Sequence, residues 1–305
     1  MFETPILFII FNRPETTRKV FNELCKLKPR NLYIAADGPR SDKPEDIDKC
    51  KNTRLVVQNI DWECNVQTLF RDNNLGCGKG VSEAISWFFG NVEEGIILED
   101  DCIPHADFFL FCSELLSRYK SDTSVLSIAG SNFQDGKKRG DASYYFSVHN
   151  RIWGWATWRR TWENYDFLLK NIEENEFAAL VNRLFRRKAE QEYWMKVFEM
   201  TKGGKIDTWD FQFMFSQWKL SGLTITPNAN LVSNIGYDND ATHTAWGENN
   251  PNLNRQVYSI YPLSHPEKLD RDLKADEYYF TKYIKPPNRL WEKIDRNMKK
   301  ILKFK

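Results

Sequence analysis

Short apolar runs alternate with amphipathic stretches over the first 130 residues of the chain. Five of these runs predict buried strands, at residues 5–11, 32–36, 66–70, 95–97 and 125–129. Helical periodicity appears between them, at residues 14–27, 44–59, about 80–89 and 104–119. Strands that alternate with helices of this length predict an α/β fold, in which a Rossmann-like, mostly parallel sheet is flanked by helices.

This alternation ends near residue 140. Beyond it, the pattern predicts a strand at 143–148, one long charged helix at 173–200, a short strand at 223–227 and a loop at 236–254. No internal repeat and no low-complexity linker divides the chain. The second half is therefore expected to be smaller and built differently, but continuous with the first.

Three consecutive carboxylates, Glu99, Asp100 and Asp101, follow the predicted strand at 95–97. Carboxylates near a core need a cation to neutralise them, and α/β sheets bind ligands at the carboxyl ends of their strands. Hard oxygen ligands of this kind suit Mn²⁺ or Mg²⁺ carrying a phosphate-bearing substrate. The alternative is a solvated acidic turn after a strand.

Polar residues also follow two other predicted strands. Asn12 and Arg13 come after the first strand, and Asp37 comes after the second. Because the carboxyl ends of parallel strands meet at one edge of a sheet, we expect these side chains near the acidic triplet. Asp37 can accept a hydrogen bond from the imide N–H of a base, whereas turn or capping roles are the alternative for each of these residues.

A glycine-rich stretch at residues 76–80 contains Lys79. It lacks the spacing of a phosphate loop and that of a dinucleotide-binding turn. Two interpretations stay open. The stretch is either a mobile backbone beside a diphosphate, with Lys79 as the counter-charge, or an ordinary turn that enters a helix.

The stretch Trp153-Gly154-Trp155 is unusual because a glycine between two tryptophans lets a sugar ring approach the backbone closely. The stretch predicts either a sugar-binding surface that includes Trp155 or a hydrophobic plug between the sheet and its helices.

Asp210 follows Trp209 in a largely aromatic segment. Apolar neighbours raise the pKa of a carboxylate and suit it to act as a general base. A helix N-cap role for Asp207 or Asp210 is the alternative. Farther on, His243 follows Thr242, where it is either a phosphate or metal contact or a structural residue.

Composition narrows the class of protein. Lys and Arg number 43 and Asp and Glu number 42, and this net charge of +1 gives no field that favours nucleic acid. The six cysteines show no metal-binding spacing, so reduced thiols are expected. We find no signal-peptide pattern and no apolar run of 18 residues, which predicts a cytoplasmic protein.

In their order along the chain, these motifs resemble the GT-A glycosyltransferases, a doubly wound fold that binds nucleotide sugars through a DxD-type metal motif. The resemblance is strongest to N-acetylglucosaminyltransferase I and to bacterial haemolysin-like glycosyltransferases. It covers about residues 4–245 and is carried by Phe11-Asn12-Arg13, Asp37-Gly38, Ile97-Leu98-Glu99-Asp100-Asp101, Asp107-Phe108-Phe109, Gly154-Trp155, Trp209-Asp210 and Thr242-His243.

The resemblance implies a role for each polar residue that matches. The residues expected at the nucleotide sugar are Asn12, Arg13, Asp37, Lys79, Glu99, Asp100, Trp155, Thr242 and His243. Within this set, Arg13 and Asp37 match the pair that contacts uridine. Asp101 would be the one direct protein ligand of Mn²⁺ (or Mg²⁺), and Asp210 would be the catalytic base.

The implied function is metal-dependent, inverting transfer of a sugar, with GlcNAc favoured, from a UDP-sugar to a hydroxyl of a glycan or lipid-linked acceptor in surface polysaccharide synthesis. Residues 1–245 would form the glycosyltransferase domain, with a nucleotide-binding half at 1–130 and an acceptor-binding half at 131–245. Two other classes stay open. One is a sugar-phosphate nucleotidyltransferase, although residues 5–20 contain none of the glycines that such an enzyme needs there. The other is a non-catalytic nucleotide- or carbohydrate-binding module.

The extension at residues 246–305 ends in a basic amphipathic stretch. Residues 289–305 place apolar side chains at helical spacing and carry seven basic and two acidic residues. Such a helix can lie in the headgroup region of an anionic membrane. The sequence therefore predicts peripheral attachment at the inner face of the membrane, or alternatively a helix that packs on the domain.

Overall fold

The computed structural model describes residues 1–236 and 253–284 of the chain. Its strands are β1 (Ile6–Ile10), β2 (Asn31–Ala36), β3 (Asn65–Phe70), β4 (Glu94–Glu99), β5 (Cys102–Pro104), β6 (Val125–Ala129), β7 (Tyr144–Ser147), β8 (Trp155–Trp158), β9 (Leu223–Pro227) and β10 (Val232–Asn234). Its helices are α1 (Pro14–Leu27), α2 (Glu45–Val56), α3 (Gly76–Asn91), α4 (Ala106–Arg118), α5 (Arg159–Trp162), α6 (Glu174–Leu184), α7 (Lys188–Lys202), α8 (Asp210–Lys219) and α9 (Leu273–Tyr279), which continues into a π-helical turn, Phe280–Ile284.

Eight strands form one sheet in the order β3-β2-β1-β4-β8-β6-β9-β7. Six of them run in the same direction, while β8 and β7 are antiparallel to their neighbours. The predicted α/β fold, with its mostly parallel sheet, is confirmed. β1 lies between β2 and β4, so the strand order reverses at β1. Open α/β sheets bind their ligands at such a reversal, outside the carboxyl ends of the strands.

Helices cover both faces of this sheet. Along β1, Phe8 faces a core that also contains side chains of α1 and α4, and its neighbour Leu7 faces a second core against α3. This alternation is the period of two expected of a strand, and burial on both faces is typical of parallel sheets. A third apolar cluster joins α6, α7 and α8.

The tryptophan-rich stretch continues into β8, a strand that the sequence did not predict. β8 lies antiparallel between β4 and β6, so that Trp155 pairs with Ile97 on one side and with Ala129 on the other. The side chain of Trp155 is only 2% exposed. Its indole lies in the apolar core against α3, as the hydrophobic-plug interpretation describes.

The prediction of a single long helix at 173–200 is wrong. The structure has two helices, α6 and α7, joined by an extended stretch. Phe185 lies in this joint, is 2% exposed and packs edge-on against Trp218 with 5.2 Å between the ring centroids. The backbone of Phe185 is extended, and this conformation places its ring in the third cluster. The helix therefore does not continue through this residue.

A separate pair of short strands, β5 and β10, is antiparallel. β5 begins directly after the acidic triplet, and β10 comes from more than a hundred residues later in the chain. Neither strand was predicted, because three residues are too few to show a period. Their pairing brings Asn234 and Gly236 against the acidic triplet.

Several other expectations can be compared with the described residues. All six cysteines lie there and are free thiols. Every helix in these two ranges is too short or too polar to cross a bilayer. The loop expected at 236–254 falls almost entirely outside the described residues, as does the basic stretch at 289–305. The division into halves and an extension stays a prediction.

A buried histidine gives the fold a testable pH dependence. His149 has no exposed surface and packs against the rings of Phe185, Trp194 and Tyr279. Within residues 1–236 and 253–284, neither of its ring nitrogens has a hydrogen-bond partner. Burial lowers the pKa of His149 from 6.5 to about 3, with Arg151 and Arg271 adding to this and Asp276 opposing it.

Below pH 6.5 the unfolded chain takes up a proton at His149 that the folded chain does not. Stability is therefore fully present above that pH and is lost as the pH falls, by about 1.4 kcal/mol per pH unit. Between pH 7.5 and pH 5, we expect the free energy of unfolding of wild type to fall by about 2 kcal/mol more than that of His149→Phe. Urea unfolding at the two pH values measures this, and an equal fall in both proteins would contradict it.

Candidate active site

A cleft of about 260 Å³ opens at the carboxyl ends of β1, β2 and β4, against the first turns of α3. The cleft therefore lies at the reversal of strand order, where open α/β sheets bind their ligands. The cleft is lined by Asn12, Arg13, Asp37, Glu99 and Asp100, all predicted from the sequence. Since β2, β1 and β4 are adjacent strands, the expectation that their polar ends meet is confirmed.

Arg13 spans the reversal from β1 to the acidic triplet after β4. Its guanidinium forms an ion pair with Asp100 and a second one with Asp101, with 3.1 Å between Nη1 and Oδ2 of Asp101. Although burial opposes the charged form, the two carboxylates raise the pKa of Arg13 above its ordinary value. Asp100 is held further by the backbone N–H of Phe11 (3.2 Å) and the hydroxyl of Thr17 (3.4 Å).

Asp101 sits at the edge of the triplet, with one oxygen facing Arg13. Its other oxygen accepts a hydrogen bond from Nδ2 of Asn234 at 3.1 Å, through the pairing of β5 with β10. A Cβ at position 236 would lie only 2.3 Å from Oδ2 of Asp101, so any other residue there would displace the Asp101 carboxylate. Asn234 and Gly236 are site residues that sequence reasoning missed.

Glu99 completes the triplet without a partner. Among the described residues its side chain has no hydrogen bond and no ion pair, and burial raises its pKa to about 8, with Asp101, Asp100 and Asp210 adding to the shift. One guanidinium therefore faces three carboxyl groups. This local excess of acidic groups is a donor set that fits a divalent cation such as Mn²⁺ or Mg²⁺.

The protein alone does not supply a complete metal shell. In the described ranges, no three His, Cys, Asp or Glu side chains are grouped so as to hold an ion. Mg²⁺ and similar ions are commonly bound by one or two carboxylates, with substrate phosphates and waters completing the shell. The geometry therefore suits an ion that arrives with a phosphate-bearing ligand.

Asp37 forms the other end of the cleft, after β2. Its carboxylate accepts hydrogen bonds from the backbone N–H groups of Leu75 at 2.9 Å and Gly38 at 3.1 Å. Burial raises the pKa of Asp37, although these two hydrogen bonds and the charge of Arg71 oppose the rise. Asp37 thus both closes a turn and borders the cleft, so the structural and ligand-binding interpretations are compatible.

Asn12 joins the β1–α1 connection to α2. Its Nδ2 donates to the buried Asp46 at 2.8 Å, and the Arg40 guanidinium pairs with the same carboxylate at 2.5 Å. Burial opposes ionisation of Asp46, but the hydrogen bonds from Arg40 and Asn12 outweigh it and lower its pKa. Arg40 also lies over the ring of Phe11 at 5.5 Å. These contacts fix the wall of the cleft beside Arg13.

The glycine-rich stretch is the first turn of α3, so the helix-entry interpretation is correct. The backbone N–H of Gly78 donates to Asp207 at 3.0 Å, and a Cβ at position 78 would lie 2.7 Å from that carboxylate oxygen. Asp207 thus occupies the amide that a phosphate loop would leave free. Lys79 does not line the cleft, and it faces Glu83 at 3.7 Å with its side chain 57% exposed.

Asp210 lies in a second cavity of about 180 Å³, which it shares with Phe133, Arg151, Trp153 and Tyr279, among other residues. It is the first residue of α8. Its Oδ1 accepts hydrogen bonds from the Thr208 hydroxyl and from the backbone N–H of Phe211. Its Oδ2 accepts none from the described residues, so one carboxylate oxygen is available to take a proton.

Stacked indoles hold the segment that carries both Asp207 and Asp210. Trp209 is 2% exposed and stacks on Trp155 with 5.5 Å between ring centroids. Asp207 lines the first cavity and Asp210 lines the second. Trp155 therefore supports the segment that carries both aspartates, although it lines neither cavity.

The segment at 253–284 contributes one residue, Tyr279, to the wall of the second cavity. Tyr279 lines that cavity and packs against Phe133 at 5.4 Å. Asp135 ties this segment down, since it pairs with Arg255 at 3.0 Å and Lys282 at 2.5 Å and accepts a hydrogen bond from Tyr278 at 2.6 Å. Sequence reasoning found no role for any of these residues.

We expect Asp135→Asn to loosen the segment that contains Tyr279. Burial opposes ionisation of Asp135, yet the hydrogen bonds from Lys282 and its other partners lower its pKa, so these contacts depend on the charged carboxylate. Losing that charge should speed amide hydrogen exchange in α9 by about tenfold. Asp141→Asn, which removes an exposed acid, is the control. Unchanged exchange in Asp135→Asn would contradict this role.

Thr242 and His243 fall outside the described residues, so their expected contacts with a nucleotide sugar stay predictions.

Comparison with known proteins shows only distant similarity. No protein-family model and no curated protein matches the chain. Among solved structures, HddC from Yersinia pseudotuberculosis is 9% identical, with 54% of this chain and 80% of that chain covered and a TM-score of 0.32. A 4-diphosphocytidyl-2C-methyl-D-erythritol synthase from Anaerococcus prevotii is 10% identical, with 56% and 79% covered and a TM-score of 0.31. Similarity at this level says nothing about the activity of this chain.

Proposed function

We propose that the protein is a metal-dependent glycosyltransferase that moves a sugar from a UDP-sugar to an acceptor hydroxyl with inversion. One observation carries this proposal. A cleft bounded by Asp37 and the acidic triplet lies beside a second cavity whose wall holds the carboxylate of Asp210. Both hydrogen bonds that this carboxylate accepts from the described residues fall on Oδ1, which leaves Oδ2 open. Two cavities with different chemistry suit a donor and an acceptor.

The donor side follows from the charges along the cleft. Asp37 offers carboxylate oxygens at one end, where the imide N–H of uracil can donate. The triplet at the other end would hold Mn²⁺ or Mg²⁺ through Asp101, and a bound ion would act as a Lewis acid for the leaving diphosphate. Arg13 already pairs with Asp101 and Asp100, so it keeps the triplet folded close to the sheet before a donor binds.

The acceptor side follows from Asp210. Its Oδ1 is fixed by two hydrogen bonds, which leaves Oδ2 to accept the proton of an attacking hydroxyl. The described part of the site offers no second unpartnered carboxylate in the acceptor cavity that would act as a nucleophile. A single displacement with inversion at C1 is therefore the expected chemistry.

The deciding experiment is a donor screen. Purified protein is incubated with UDP-, GDP- and dTDP-sugars with Mn²⁺ and with EDTA, and release of the nucleoside diphosphate is measured. We expect metal-dependent hydrolysis of a UDP-sugar, with UDP-GlcNAc as the first candidate. A parallel reaction with nucleoside triphosphates and sugar 1-phosphates tests nucleotidyl transfer. Pyrophosphate release in that reaction alone would replace the proposal, and no turnover in either would favour a binding module.

A further inference from the structure

The acceptor cavity contains a cation that the proposed reaction does not use. Arg151 lines this cavity and is only 4% exposed. One of its guanidinium nitrogens, Nη1, donates to the Thr226 hydroxyl at 2.9 Å and to the carbonyl of His149 at 3.3 Å. Its Nε and Nη2 are buried and have no hydrogen-bond partner among the described residues.

Arg151 also lacks a counter-ion. Throughout the two described ranges, no carboxylate lies within 4.0 Å of its guanidinium, whereas Arg13 pairs with Asp100 and Arg271 pairs with Asp276 at 2.6 Å. The ring of Tyr279 lies over the guanidinium at 4.3 Å, which offsets only part of the charge. A buried guanidinium with two unsatisfied donor groups is destabilising unless something supplies acceptor atoms.

The unpartnered atoms have a defined geometry. Nε–H and one N–H of Nη2 point side by side from the planar guanidinium and form the fork that binds two oxygens of one oxyanion. The cavity walls around Arg151 include the aromatic side chains of Phe133, Trp153 and Tyr279, which are surfaces suited to a sugar ring. The lining of the cavity thus combines aromatic side chains with a guanidinium whose fork has no acceptor among the described residues.

We propose that the acceptor is an acidic saccharide, bearing a carboxylate or a phosphate group that Arg151 binds through Nε and Nη2. This inference rests on the proposed function, because it assigns the ligand of the acceptor cavity. Binding the anion at Arg151 would keep it from repelling the Asp210 carboxylate. Asp210 would then face the hydroxyl of the same ring.

The test compares acidic with neutral sugars. Titration of the full chain, with UDP and Mn²⁺ present, measures binding of glucuronic acid and glucose 6-phosphate against glucose. We expect one of the acidic sugars to bind about 10- to 100-fold more tightly than glucose, the range of a charge-assisted hydrogen-bonded pair. The better of the two acids identifies the group as carboxylate or phosphate.

Variants then locate the effect. Arg151→Gln should abolish the preference for the acidic sugar, and Arg139→Gln, which removes a cation outside the cavity, should keep it. If Arg151→Gln does not fold, Arg151→Lys retains a charge and a donor for Thr226 but lacks the fork, and it should lower the preference by about tenfold. Equal binding of neutral and acidic sugars by wild type, or an unchanged preference in the folded Arg151 variant, would overturn the inference.

The same preparations separate this inference from the proposed function. Metal-dependent hydrolysis of a UDP-sugar with no acidic preference would leave glycosyl transfer standing and refute the role of Arg151. An Arg151-dependent preference without any UDP-sugar turnover would support the role of Arg151 and refute glycosyl transfer. The protein would then bind an acidic saccharide without transferring sugar from UDP.

Discussion

Asp210→Asn is expected to lower glycosyl transfer by about 10²–10⁴-fold, the usual contribution of a general base. The substitution is conservative for the fold, because an amide oxygen can still accept the hydrogen bonds that Thr208 and Phe211 donate to Oδ1. Only the unpartnered Oδ2 changes, into an NH₂ group that cannot take a proton. UDP binding should stay within a few-fold of wild type, since Asp210 lies outside the donor cleft.

Rates of transfer and titration of UDP measure the two effects separately. Asp207→Asn is the matched control, because it lies three residues earlier, borders the donor cleft and can keep its hydrogen bond to Gly78. Its effect should fall on donor binding and spare the transfer step. Transfer at a near wild-type rate in Asp210→Asn would show that this carboxylate is structural and that another base must be sought.

Asp101→Asn is expected to remove the Mn²⁺-dependent part of UDP affinity and to lower transfer by about 10³-fold. A metal ion that neutralises a leaving diphosphate supplies several kcal/mol of stabilisation, and each 1.36 kcal/mol is a factor of ten. The asparagine oxygen can still accept from Asn234, so the junction of β5 and β10 should persist. The change removes one ligand charge from the triplet, together with the ion pair between Asp101 and Arg13.

Isothermal titration of UDP with and without Mn²⁺ is the measurement. Asp141→Asn, which removes the same charge from an exposed position outside the cleft, should behave like wild type. The proposed metal role of Asp101 does not survive if the Mn²⁺-dependent gain in affinity is the same in Asp101→Asn and in wild type.

The donor end of the site was predictable because its residues follow strands. A buried strand is recognisable from its apolar run, and in a parallel sheet the residue after each strand lies at one known edge. Arg13, Asp37 and the triplet could therefore be placed together before the fold was seen. Their proximity needs only the direction of the strands, which the alternation with helices fixes.

What borders those residues was decided by tertiary structure. Asn234 reaches Asp101 across 133 positions, and Asp207 reaches Gly78 across 129. Contacts over such separations depend on which elements pack together, and a local sequence pattern does not contain that information. The same holds for Trp155, whose aromatic stretch gave no indication of whether its indole faced a ligand or the core.

The sequence by itself therefore determined the α/β class and the polar residues at the carboxyl ends of the strands, which are Arg13, Asp37 and the acidic triplet. These could be predicted because periodicity and strand direction are local properties of the chain. Only the tertiary structure decided that β8 is inserted between β4 and β6, that Asp210 has its own cavity, and that Tyr279 and Arg151 line it. These arrangements bury large aromatic side chains from distant segments in one core. The free energy gained by that burial exists only when the segments are packed together, so no local stretch of sequence reveals it.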